Sequence, residues 1–399
     1  MRHSSELRVV VFIVLLLSAP SLLRAASVDL ARTGQTTCAD GSGGTVPCAG
    51  TGQDGEIQAG LAWPDARFTD NGDGTITDNL TNLIWLADPD CFGGLKWFDA
   101  VAAVNALANG ACGLSDGSTA GDWRMPNIVE LLSPAHLGIS DFFTWLESFG
   151  FQEMKGYGYW SSTTISISTG SVFGYQFNHR FGGSYLKSGG YRTWPVRGVA
   201  SGPAKLWKTG QTACFDQVGN SLGCAGTGQD GEIQAGVAWP NPRLTDNGDG
   251  TVTDNLTELI WVKQAGCLTD HLWSDALVGS NTLKDGDCGL TDGSVAGDWR
   301  LPNTGEITSL VDFSRYPALP AGHPFTDLPN QYHWTSTTFP VLPERAYMSG
   351  PVFYGYYFFI SKASPGSVWP VRGGNIVVPL LFADGCESGD TSAWSSTVQ

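Results

Sequence analysis

Positive charge is scarce in this chain. It has 22 lysines and arginines against 38 acidic residues, a formal charge of −16. A surface built to hold nucleic acid or an anionic membrane needs the opposite sign, so no nucleic-acid partner is expected, and sulfated polysaccharide is disfavoured on the same ground. Beyond the opening segment no apolar run is long enough to cross a membrane, so no integral span is expected. Histidine is sparse: 6 in all, of which His136, His179, His271, His323 and His333 have no partner at the matching place in the internal repeat described below. No C-x-x-C spacing and no G-x-S-x-G elbow occurs, which disfavours a zinc site and an esterase-like nucleophile. We therefore expect no catalytic residue and no enzyme.

The opening segment itself is distinctive. Arg2, His3 and Arg8 precede an apolar run from Val9 to Leu17, followed by Ser18-Ala19-Pro20 and the small pair Ala25-Ala26. That order reads as a secretory signal peptide over residues 1–26, cleaved near Ala25 or Ala26. The rival reading is a membrane anchor, but the run falls short of the ~20 apolar residues a span needs and Pro20 interrupts it. A secreted or cell-surface location is expected.

Two copies of one domain make up most of the remainder, residues 33–199 and 209–373, and a tail, 374–399, belongs to neither. Thr33-Gly34-Gln35-Thr36 returns as Thr209-Gly210-Gln211-Thr212, and Cys48 to Pro64 returns as Cys224 to Pro240 with only Leu61 changed, to Val237. The period is far longer than the roughly 20–50 residues of a solenoid unit. Two globular domains in tandem are expected, each burying its own core.

Eight of the nine cysteines form matched sets, Cys38, Cys48, Cys91 and Cys112 against Cys214, Cys224, Cys267 and Cys288. Even numbers at repeated spacings in an exported chain read as disulfides. Of the three pairings open to four cysteines, the nearest-neighbour one is favoured: Cys38–Cys48 and Cys91–Cys112, with their counterparts.

Within one copy, the stretch up to Cys48 has no periodic pattern. Residues 67–78 alternate around Asn71-Gly72-Asp73-Gly74, the signature of a hairpin turn, and Leu83 to Leu86 is a short buried strand. Trp97, Val101, Val104 and Ala108 share one face, which predicts a helix over Lys96 to Ala108. Asn127 three residues before Glu130, and Asn303 before Glu306, form capping boxes that start a second helix. Val172 to Phe177 and Val352 to Ile360 alternate as strands, and each copy closes on Trp-Pro-Val-Arg-Gly. The class is α+β: two helices and an antiparallel, loop-rich sheet per copy, stapled by disulfides.

Three groups of residues are candidate sites. Asp70, Asn71 and Asp73, with Asp246, Asn247 and Asp249, cluster side-chain oxygens that suit calcium; they miss the EF-hand register, and turn geometry is the competing explanation. No other cofactor is suggested. Tyr157, Tyr159, Tyr332, Tyr354 and Tyr356 offer faces for sugar stacking, against core packing as the alternative. The copies differ most between the second helix and the following strand, Ser133 to Gly158 against Ser309 to Gln331. Variable loops on a fixed scaffold are where specificity resides.

The runs T-D-N-G-D-G-T-[IV]-T-D-N-L-T, G-D-W-R-[ML]-P-N-x-x-E, W-[ST]-S-T-T and the closing W-P-V-R-G resemble the C-terminal domain family of the Legionella collagen-like adhesin, over nearly all of residues 33–373, twice. The resemblance implies a secreted or surface-exposed bacterial adhesion protein. The order of these motifs also resembles the C-type-lectin fold and its formylglycine-generating-enzyme branch, implying two tandem C-type-lectin-like domains. That enzyme branch needs a late pair of thiols, and neither copy has a cysteine after Cys112 or Cys288.

The reading is a binding protein whose partner is a glycan or another cell-surface ligand. A structural envelope protein without a small ligand is the alternative, and an enzyme of the related fold the least favoured. The leftover Cys386 in the tail suggests surface attachment.

Overall fold

The computed structural model describes residues 28–152, 154–350 and 357–374. The expected signal peptide, Tyr354, Tyr356 and the tail from Asn375 with Cys386 lie outside the described residues. Among those described, no helix is long and apolar enough to cross a membrane.

The chain is α+β, and its two halves repeat the same plan. Each half opens with a two-stranded ribbon, Cys38–Ala39 with Thr45–Val46 and Cys214–Phe215 with Ser221–Leu222. A four-stranded antiparallel sheet follows. In the first half it runs Phe68–Asp70, Thr75–Asp78, Ile84–Leu86, Val196–Arg197. The closing motif supplies the last strand because its tryptophan is a wedge: the Trp194 ring lies 4.6 Å from Trp85, and its indole N–H donates to the Leu86 carbonyl at 2.9 Å. Trp369 repeats this against Trp261 and Val262. The other sheet has three strands in the first half, Gly158–Ile165, Ser168–Gln176 and Phe181–Leu186. Its counterpart in the second includes His333–Thr338, Arg345–Ser349 and Tyr357–Ser361. The expected strand over Val352 to Ile360 is thus seen from Tyr357 onward. The pairing is antiparallel except at a few contacts such as His333 with Ser367.

The two expected helices are present, Trp97–Asn105 and Ile128–Leu132 in the first half, Trp273–Thr282 and Thr304–Ser309 in the second. Both capping boxes form. The Asn127 side chain accepts from the Glu130 N–H, and the Glu130 carboxylate accepts from the Asn127 N–H at 3.0 Å. Arg124 of the G-D-W-R run holds that glutamate in a bidentate pair, at 2.6 Å twice. The helix count needs correction. Single-turn helices Asp54–Ile57 and Asp230–Ile233 add to the two expected per copy, and Phe142–Glu147 forms within the apolar helical run that the sequence carries from Phe142 to Phe151. A four-residue helix is too short to show a period; it is ended by Gln58 in the left-handed region, φ 46°.

All four nearest-neighbour disulfides are present: Cys38–Cys48, Cys91–Cys112, Cys214–Cys224 and Cys267–Cys288. The second of these brackets the first long helix, as expected from its flanking positions.

The expectation that each copy buries its own core holds only in part: the second copy keeps a cluster of its own around Trp261, Trp299 and Trp369. One apolar cluster runs through both halves, joining Phe68, Trp85 and Phe173 to Val311, Phe313, Phe339 and Tyr347. Ring contacts join the halves directly, Phe173 with Phe313 at 5.1 Å and Tyr175 with Tyr357 at 5.9 Å, and the segment ahead of each four-stranded sheet, residues 28–64 and 204–240, also reaches across to the opposite half. The Asp54 carboxylate accepts from Thr33 beside it and from Thr337 of the other copy, both at 2.7 Å. Gln35 pairs its amide with both backbone groups of Thr338, at 2.8 and 2.9 Å. Asn303 donates to the Ala59 carbonyl at 3.1 Å, and the buried Lys362 ammonium to those of Ala39 and Asp40. Every contact recurs in reverse: Asp230 with Thr209 and Thr163, Gln211 with Thr164, Asn127 with Ala235, Lys187 with Phe215 and Asp216. The two segments form reciprocal arms across a pseudo-two-fold seam, the geometry of an isologous interface inside one chain.

Candidate ligand-binding surface

Among the described residues, the aromatic side chains that stand well out into solvent are Tyr157 and Tyr316, 59% and 48% exposed. Both lie in the segments where the copies differ most. Tyr157 stands just before the strand Gly158–Ile165, at the end of a segment anchored by Phe142, Leu146, Phe151 and Met154 in the core. Tyr316 occupies the proline-rich segment of the second copy.

Around Tyr157 the structure gathers groups that the sequence had not singled out. The Arg192 guanidinium lies 5.0 Å from the centre of the Tyr157 ring. Its Nε is 2.7 Å from the Asp90 carboxylate. Strand pairing explains the meeting: Tyr159 bridges Arg192 in parallel, which sets this residue, two ahead of Trp194, beside the start of the strand. Asp90 comes from the loop before Cys91, fixed by the disulfide to Cys112. A tyrosine face, a forked donor and an acceptor therefore share one patch of surface.

The second copy builds the same place differently. Gln331, Ser367 and Asp270 are linked there, Ser367 donating to Gln331 at 2.9 Å and Gln331 to Asp270 at 3.0 Å. Residues 331 and 367 stand where the first copy has 157 and 192, as the parallel pairing of His333 with Ser367 confirms. The signal that could have found Arg192 and Asp90 is this difference between copies beside the matched motifs.

The remaining sequence candidates divide. Tyr159 is buried at 1% exposure, its ring against Phe177, so it belongs to the core. Tyr332 is half-buried against Phe358, ring centres 4.6 Å apart. The turn carboxylates and asparagines are used locally. Asp70 accepts from the Gly72 N–H, Asp73 from both the N–H and the hydroxyl of Thr75, and Asn71 donates to Thr75 and Thr77. Asp246, Asn247 and Asp249 repeat the pattern. Lys263 lies 2.7 Å from Asp246 and is the main influence holding that carboxyl below the usual range. Among the described residues, no three histidine, cysteine, aspartate or glutamate side chains gather as metal ligands.

The strongly perturbed acids lie elsewhere. Burial raises the Asp54 and Asp230 carboxyls to about 6, against the opposing pull of their threonine hydroxyls. A perturbed carboxyl in a cleft suggests catalysis. These two are sealed within the seam, 2% and 1% exposed, where no substrate reaches them. Burial likewise pushes His333 down to about 3, with neither ring nitrogen hydrogen-bonded.

Comparison with known proteins gives one match. The family described as the Lcl C-terminal domain matches residues 74–197 and 250–372, together more than half of the chain. The match is narrower than the resemblance drawn from the motifs, since the reciprocal arms fall outside both ranges. No curated protein and no solved structure matches.

Proposed function

Since the chain belongs to the Lcl C-terminal domain family, we propose that it is an exported, adhesin-like binding protein that recognises a glycan or another surface molecule through the variable segments of its two copies. The observation that carries this reading is the exposure of Tyr157 and Tyr316, both within those segments. A tyrosine ring combines apolar area with a polar tip, which suits the apolar face of a sugar. Beside Tyr157, Asp90 and Arg192 supply an acceptor and several donors for ring hydroxyls. The matching place in the second copy offers only uncharged donors and Asp270, so the copies would differ in preference. Two sites on one chain multiply weak affinities by roughly 10² or more when both engage.

Four disulfides and the family membership are consistent with an extracellular location. The leader over residues 1–26 supports export, and Cys386 supports attachment to the surface. A C-type-lectin-like architecture for each copy remains part of this proposal, as does binding without a catalytic step.

The test is a glycan array and a cell-attachment assay on the full mature chain, with and without calcium. Tyr157→Ala and Tyr316→Ala should each weaken binding by about 10-fold, on the scale of a lost aromatic contact. Array signals and attachment unchanged in both variants would reject the reading and leave a structural envelope role. Signal that depends on calcium, and is lost in Asp73→Asn and Asp249→Asn, would bring the hairpin turns into the site.

A further inference from the structure

We propose that the seam between the two copies holds a small-anion site built on Arg180, which takes chloride, phosphate or a carboxylate. Arg180 stands in the turn between the strands Ser168–Gln176 and Phe181–Leu186, in the left-handed backbone region at φ 50°. Its side chain is buried, at 2% exposure. Nη2 donates to the Ser140 carbonyl at 3.1 Å, whereas Nε and Nη1 have no hydrogen-bond partner among the described residues. The guanidinium carbon lies 5.8 Å from the Phe142 ring, an apolar wall.

This is an expensive arrangement for arginine in particular. A buried lysine can shed its proton, but a guanidinium stays charged at any pH a protein survives. With no buried counter-charge among the described residues it is strongly destabilising. Asp141, the acid electrostatically coupled to it, lies at the exposed surface, where it caps a helix by accepting from the Thr144 N–H. The strand that follows Arg180, Phe181–Leu186, packs against Tyr357–Ser361 of the other copy, which brings the phenols of Tyr175, Tyr347 and Tyr357 within electrostatic reach of the guanidinium.

Those phenols come from both sides of the seam and form one buried cluster. The Tyr357 ring lies 5.9 Å from Tyr175 and 5.7 Å from Tyr347. Strand register puts Ser349 opposite Tyr357 and Tyr347 two residues along the same face. The hydroxyls of Tyr347 and Ser349 have no hydrogen-bond partner among the described residues. The cluster is thus rich in unused donors and carries a positive charge, and a small anion satisfies both at once. Tyr357 also borders a cavity of about 120 Å³ between the copies, walled by Leu132, Leu137, Leu206 and Trp207. The first copy provides the arginine and the second Tyr347, Ser349 and Tyr357, so the site exists only in the assembled pair.

Thermal unfolding of the full mature chain tests this, with sodium chloride, phosphate or acetate replacing sodium gluconate at constant ionic strength. The melting temperature should rise and saturate with at least one small anion, by on the order of 4 °C at a hundredfold excess over Kd. Arg180→Met should abolish the rise, and Tyr347→Phe should shift it to higher anion concentration. The ³⁵Cl or ³¹P resonance of the stabilising anion should broaden with wild-type protein and sharpen with Arg180→Met. A wild-type melting temperature indifferent to all three anions overturns the proposal. So does an Arg180→Met protein with the wild-type response. Should that variant fail to fold, an unshifted response in Tyr347→Phe overturns it instead.

Discussion

The hydroxyl of Thr337 donates to the carboxylate of Asp54 across the seam at 2.7 Å, joining residues nearly three hundred positions apart; Thr163 and Asp230 repeat the bond at the same distance in the opposite direction. Each carboxylate is closed in by threonines, with the Arg300–Glu306 or Arg124–Glu130 pair nearby.

That burial has a sign. Both carboxyls are raised to about 6 from 3.8, so the folded state favours the protonated form. Their contribution to stability is fully present below pH 3.8 and is lost as pH rises through about 6. Each contributes on the order of 2–3 kcal/mol at most. The double variant Asp54→Asn, Asp230→Asn should be stabilised at pH 7.5 and lose this slope between pH 4 and 6.5. Urea unfolding at several pH values checks it; a double variant with the wild-type slope would sink the idea.

His333 works in the other direction. Its folded pKa falls to about 3 from 6.5, so its contribution is present above pH 6.5 and lost as pH falls through about 3. The first copy carries Tyr159 at this place. His333→Phe should raise stability at pH 4 by on the order of 2 kcal/mol and change little at pH 8. Thermal melts at the two pH values measure the difference.

The disulfide Cys91–Cys112 spans 21 residues around the first long helix. Cys91→Ser with Cys112→Ser should cost about 3 kcal/mol, chiefly by releasing the unfolded chain. Mature protein should also show eight cysteines unreactive to thiol reagents before reduction; detection of those eight as free thiols would contradict the pairing.

Asn127 has two duties that can be separated. Its side-chain oxygen caps the helix Ile128–Leu132, and its amide donates to Ala235 of the opposite arm at 3.1 Å. Asn127→Ala loses both and should cost about 2 kcal/mol, whereas Asn127→Ser keeps a capping oxygen and loses the seam bond. Equal losses in the two variants would show that the cap contributes nothing.

Much of this was legible before any coordinates. The Asn-x-x-Glu spacing is a local rule, and both capping boxes form as read. The nearest-neighbour cysteine pairing followed from matched spacing. Tyr159 was misjudged because alternation shows only that residues share a face, not which face is covered. Arg192 and Asp90 were missed because they sit apart in sequence and meet through a strand pairing with no local signature. Asp54 and Asp230 were quoted within a repeated run, but nothing in that run says a carboxylate is buried.

The sequence by itself determined the duplication, the disulfide staples, the helix starts and the family motifs, because each rests on spacing along the chain over a few turns of backbone. The tertiary structure alone decided that the arms cross and that one apolar cluster runs through both halves. It also decided which described tyrosines face water and that Arg180 is buried with no buried counter-charge among the described residues. Those outcomes depend on which surfaces meet over hundreds of residues, and two nearly identical arms fit either half equally well by pattern. Only the packed chain chooses between them.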